Sequence, residues 1–211
     1  MLKRLVFLPA ISLLTVLTVG AQEYKYEAVA AAPAGLPDAF SAAVQPQGAR
    51  VSGPAGPWVE VWPAKSLTAA KSSDASIAFG LPQGTLLGVL RFPGKAADRR
   101  GQVIPAGLYT MRYSLFPVDG AHSGVAPQRD FVLLTPIAAD TNPAAKPTFE
   151  ELVQWSLKAS GTPHPAVLSI ETPPTGATAP SVVKEGEHDW VLTVKAGDVT
   201  LSVIVVGKAE G

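Results

Sequence analysis

Hydrophobic and polar residues alternate with the two-residue period of β-strands along most of the chain after Pro57. In Trp58-Val-Glu-Val-Trp62, Trp58, Glu60 and Trp62 fall on one side and Val59 and Val61 on the other. Short apolar runs at Ser76–Gly80 and Gly84–Phe92 predict two more strands, the second ended by Pro93-Gly94. Leu108–Phe116 alternates most clearly, with Tyr109, Met111, Tyr113 and Leu115 opposite Thr110, Arg112 and Ser114. The Arg112 face reads as solvated or as lining a cleft, whereas Asp130–Pro136 is too uniformly apolar to be exposed on either face. Ala166–Glu171 is a further strand, and Asp189–Lys195 and Val199–Val206 form a hairpin about Ala196-Gly197-Asp198. One stretch breaks the pattern. Thr148 with Glu151 three residues later is a capping box, and Gly161 suits the C-terminal cap, so a helix spans about 148–160. About eight strands and one short helix predict a mainly all-β fold, an antiparallel β-sandwich or jelly-roll-like domain.

The start of the chain follows another pattern. Lys3 and Arg4 precede an uncharged, mostly apolar run from Leu5 to Val19, and Val19-Gly20-Ala21 supplies small residues for cleavage. Charge, apolar core and cleavage site in that order predict a signal peptide over residues 1–21. The run is shorter than the roughly 20 residues needed to span a bilayer, so an uncleaved anchor is the weaker reading. Without a cysteine, a lipoprotein anchor is excluded. The expected product is an exported protein, periplasmic or extracellular, with no membrane span in the mature chain. Residues 22–56, rich in Ala, Pro and Gly, read as a poorly ordered lead-in, and 57–211 as the folded domain.

Composition narrows the function. The 17 basic and 17 acidic residues balance, and losing Lys3 and Arg4 tips the mature chain slightly acidic. No basic excess remains for nucleic acid. Nineteen glycines and 20 prolines disfavour a helical bundle. The lack of cysteine excludes thiol catalysis, Cys-bound zinc and iron–sulfur chemistry, and leans toward a bacterial exported protein. Neither a phosphate-binding glycine motif nor G-x-S-x-G is present.

Two candidate sites remain. Trp58 and Trp62, with Arg112 and Tyr113, are candidate ligand-binding residues, since a row of aromatic rings can stack on a sugar; burial in the core is the commoner use of such rings. The loop Pro117–Arg129 and the constrained Gly161–Pro165 stretch carry Asp119, His122 and His164, with Asp130 at the following strand start. If both loops lay at one end of the domain, these four would suit a divalent metal. Turn chemistry at Asp119-Gly120 and surface pairing of Asp130 are the simpler readings, and no metal-ligand histidine spacing occurs.

Gln102–Phe116 (QVIPAGLYTMRYSLF) resembles the "I-P-A-G-x-Y-x-L" strand of an uncharacterised secreted bacterial β-domain family, the DUF2911 type, through Pro105, Ala106, Gly107 and Tyr109. The resemblance implies a β fold and a secreted location, and no activity. The expected function is a non-catalytic module with no cofactor, binding a ligand, a glycan or an envelope protein. The alternative is a metal-dependent enzyme built on the His/Asp loops.

Overall fold

The computed structural model describes residues 23–119 and 128–208. The proposed signal segment and His122 lie outside the described residues. The fold is mainly antiparallel β, as the alternation predicts.

The strands are β1 (Lys25–Val29), β2 (Gly48–Gly53), β3 (Gly56–Pro63), β4 (Leu86–Phe92), β5 (Ala96–Ala97), β6 (Val103–Ile104), β7 (Gly107–Leu115), β8 (Asp130–Pro136), β9 (Val167–Glu171), β10 (Ser181–Glu185), β11 (Asp189–Ala196) and β12 (Val199–Val206). The helices are α1 (Asp38–Ala43) and α2 (Phe149–Ser160). Ten strands make one sheet in the order β1-β2-β3-β4-β7-β8-β9-β12-β11-β10, with β5 and β6 as a separate small hairpin.

Strand β9 turns the corner of this sheet. Its first residues pair with β8 (Ser169 opposite Phe131), and its last pair with β12 (Ile170 opposite Val203). From β9 the chain crosses to β10 and returns through two hairpins, so β9, β12, β11 and β10 form a Greek key. The sheet therefore folds back on itself, and the inner faces of both halves share one core. That core includes Val59, Val61, Leu90, Met111, Val132, Leu134, Leu192 and Val203. Tyr24, Trp58 and Trp190 meet across the closing gap, with ring centroids 5.3 Å apart for Tyr24 and Trp190. The sheet nearly closes, but no hydrogen-bonded ladder joins β1 to β10.

The segment expected to be a loose lead-in, residues 22–56, instead carries β1, α1 and β2. Strand β1 pairs with β2 along its length, and β2 with β3. The alternation of β1 is short, ending at the small residues from Ala28, and alanine and glycines obscure that of β2. Ser76–Gly80 is not a strand. Its Ala78 and Phe79 amides donate to the Asp130 carboxylate rather than to a neighbouring strand. Strand β10 escaped the sequence reading because neither of its faces is fully buried.

The helix follows its sequence signals closely. Thr148 Oγ1 accepts from the Glu151 amide, and the Glu151 carboxylate accepts from the Thr148 amide. Gly161 ends the helix at φ 62°, a left-handed conformation that a β-carbon disfavours. Leu152 is buried against Phe131 and Leu133, with Phe149 and Trp155 packed around them, so α2 covers the outer face of β8. No helix among the described residues is long and apolar enough to cross a membrane.

Candidate functional site

Most residues that look chemical in the sequence hold the fold together. Arg112 sits mid-strand in β7 and is fully buried. The face shared by Thr110, Arg112 and Ser114 was expected to be solvated or to line a cleft; all three are buried. The reason is distant in sequence: residues 137–147 fold over this face. Nε and Nη2 of Arg112 donate to the two carboxylate oxygens of Asp140 at 2.7 and 2.9 Å. Its remaining N–H groups donate to the carbonyls of Gly84, Asn142, Pro143 and Ala145. Thr110 Oγ1 completes the shell of Asp140 at 2.7 Å. A guanidinium so saturated has no donor left for a ligand.

Tyr113 and Asp130 form a second internal centre. The Tyr113 hydroxyl donates to Asp130 Oδ1 at 2.6 Å, and the Ala78 and Phe79 amides donate to the same carboxylate at 2.7 and 3.1 Å. Burial and the adjoining Asp130 carboxylate push the Tyr113 phenol far above its ordinary range. The neighbouring Arg129 pairs with Asp74 at 3.3 Å.

The two tryptophans do not make a shared face. Pairing of β2 with β3 slips at Val51 and Ser52, which face Val59 and Pro57, so Trp58 has no partner in register. Trp58 packs beside the main core, and its indole N–H donates to the Val205 carbonyl at 2.8 Å. Trp62 is buried in a separate cluster under α1 with Phe40 and Val44, donating to the Ala31 carbonyl at 3.0 Å.

Of the four proposed metal ligands, His122 lies outside the described residues, and His164 is held apart from Asp130. Strand register sets the reason. Asp130 begins β8, and Leu133 in its middle faces Val167, the first residue of β9. His164, three residues before Val167, therefore lies at the end of β8 opposite to Asp130. His164 is exposed in a loop held to the β5–β6 hairpin: Gln102 Nε2 and Arg100 Nη2 both donate to the Pro165 carbonyl. Asp119 is exposed. Among the described residues, no three His, Asp or Glu side chains converge.

A charge ladder crosses the outer face of the first four strands. Glu27 faces Arg50, Arg50 faces Glu60, and Glu60 faces Arg91 in the strand register. Glu60 is fully buried, and accepts from Arg50 at 2.7 Å and Arg91 at 2.5 Å. Burial pushes the Glu60 carboxyl up, but hydrogen bonds and charge from Arg91 and Arg50 outweigh it and hold it below the ordinary range. Arg50 is raised chiefly by its hydrogen bond to Glu60.

What remains open is the seam. Where β1 and β10 approach without pairing, a cleft of about 160 Å³ lies between the sheet's two ends. Tyr26 and Ala28 of β1 form one wall; Pro180, Val194 and Lys195 form the other. Gly48 and Ala49 lie on the floor, and Gln45 and Gln47 enter from the turn before β2. Gln45 Nε2 donates to the Lys195 carbonyl at 2.6 Å, tying that turn to β11 and fixing the cleft's width at this end. At the other end of β1 the Tyr24–Trp190 contact closes the gap. The half-buried Tyr26 ring, the exposed Gln47 amide and the exposed Lys195 ammonium stay at the mouth. None of these residues stood out in the sequence; only the pairing of strands far apart in the chain brings them together.

In comparisons with protein-family models, curated proteins and solved structures, no match to this chain was found.

Proposed function

We propose that this chain is an exported, non-catalytic binding module that holds one unit of a neutral oligosaccharide in the seam cleft. The supporting observation is the cleft itself: a recess between the ends of an almost closed sheet, walled by an aromatic ring and rimmed by a carboxamide and an ammonium. Mouths of β-barrels are recurrent ligand sites. At about 160 Å³ the recess is smaller than the roughly 300 Å³ at which pockets enclose drug-sized ligands. It suits a single ring of a longer chain. Tyr26 offers a π-face for that ring, and Gln47 offers both a donor and an acceptor for hydroxyls.

A peptide strand added along the seam fits less well. Its two edges carry Lys25 and Glu27 on β1, and Lys184 and Glu185 on β10. Such charges guard edges against strand pairing. Export rests on the N-terminal segment, with its Lys3-Arg4 start and Ala21 end.

Titration calorimetry of the full chain with glucose and N-acetylglucosamine tetramers tests this reading. One of the two sugars is expected to bind, and Tyr26→Ala to weaken that binding about tenfold at a temperature where the variant is still folded. Binding of neither tetramer, or equal binding by Tyr26→Ala, would overturn it.

A further inference from the structure

A second recess, of about 320 Å³, lies elsewhere on the molecule, bounded by Ala42 and Ala43 at the end of α1, Lys65 and Ser66 after β3, Thr85 before β4, and Lys146 in the loop before α2. It has two ammonium groups in its lining and no carboxylate. We propose that this recess binds a small dianion of the phosphate-monoester class, with Lys65 and Lys146 as its charge partners.

The walls are held in place from behind. Arg112, buried in β7, donates to the Gly84 carbonyl beside Thr85 and to the Asn142, Pro143 and Ala145 carbonyls before Lys146. One side chain thus holds two of the segments that line the recess. Gly84 lets them meet closely: it adopts φ +75°, and a β-carbon there would sit 2.7 Å from the Pro147 carbonyl oxygen. The third wall is fixed by the Lys65 amide, which donates to the Ala43 carbonyl at 2.9 Å. Lys65 Nζ donates to the Ala42 carbonyl at 2.8 Å, which orients the ammonium and leaves two N–H groups for a ligand. Lys146 makes no ion pair with a described residue. The Thr85 hydroxyl donates to the Pro82 carbonyl and has no proton left for an anion, so the charge recognition falls on the lysines. Two point charges without a planar fork suit a phosphate better than a single carboxylate.

The test is calorimetric titration of the full chain with inorganic phosphate and with glycerol phosphate. Affinity should rise with pH as the second phosphate proton leaves, near pH 6 for the monoester and about a unit higher for inorganic phosphate, and should fall with added salt. Lys65→Gln and Lys146→Gln should each weaken binding about tenfold. Both lysines are exposed, so the unfolding midpoints of the variants should match that of the parent chain. Preference for glycerol phosphate over phosphate would assign an organic ester as ligand; equal binding would assign the free ion. No binding, binding that ignores pH, or binding unchanged in both variants would overturn the proposal. The seam cleft shares no residue with this recess, so the oligosaccharide reading stands or falls separately.

Discussion

Arg112 and Lys146 are both cations attached to the loop over residues 140–147, from opposite sides. Arg112 reaches it from the interior, fully buried, with six hydrogen bonds to Asp140 and four carbonyls. Lys146 stands on its outside, exposed and without an ion pair to a described residue. The same contrast separates the Asp130–Tyr113 centre from the seam, where Gln47 and Lys195 face the cleft mouth. Buried charge costs several kcal/mol unless every partner is supplied, so the buried charges of Arg112, Asp140, Asp130 and Glu60 are all paired within the fold. Groups able to hold a ligand are left at recesses, where water satisfies them until a ligand arrives.

The sharpest way to break this contrast is to remove one buried partner. Asp140→Ala leaves the Arg112 guanidinium without its counter-charge, and should cost about 3–5 kcal/mol in urea unfolding. The double variant Arg112→Met, Asp140→Leu should cost less than Asp140→Ala alone, because no lone charge is left buried. A double variant as damaged as the single would show that these groups do more than satisfy each other.

Next in size is Asp130→Ala, which strips three donors of one acceptor and should cost about 3 kcal/mol. The Ala78 and Phe79 amides should then lose hydrogen-exchange protection before the rest of the sheet does. Thr148→Ala removes one half of the capping box and should cost about 1 kcal/mol.

Glu60 supplies the pH dependence. Its folded pKa is lowered by Arg91 and Arg50, so the folded state holds fewer protons than the unfolded chain in the carboxylate range. Its contribution is therefore present above the unfolded pKa and lost as pH falls through the folded one. Unfolding midpoints should drop below about pH 4.5, and Glu60→Gln should flatten that part of the profile. Smallest of all, Gln47→Ala should move stability by no more than about 0.5 kcal/mol while weakening the ligand at the seam.

The interior is partly legible in the sequence. Thr148, Glu151 and Gly161 mark α2 because helix caps are local chemistry, settled within one turn. The uniform apolar run of β8 likewise announces burial on both faces. Arg112 could not be placed this way. Alternation says which side of β7 it takes, but its partner Asp140 comes from a loop 28 residues on. Trp58 and Trp62 share a side by counting, and a slip in pairing at Ser52 sends them to different clusters. The seam was least legible. Tyr26 sits in a four-residue alternation, Tyr24-Lys25-Tyr26-Glu27, cut short by the small-residue run from Ala28, and Lys195 joins it only through closure of the sheet.

The binding claim has one direct test: hydrogen exchange of the full chain with and without the tetramer that binds. Added protection is expected on the amides of β1, on residues 45–49 and around Val194–Lys195, with β8 unchanged. Protection confined to the 117–129 or 161–165 loops would contradict the account and move the site to the His/Asp segments.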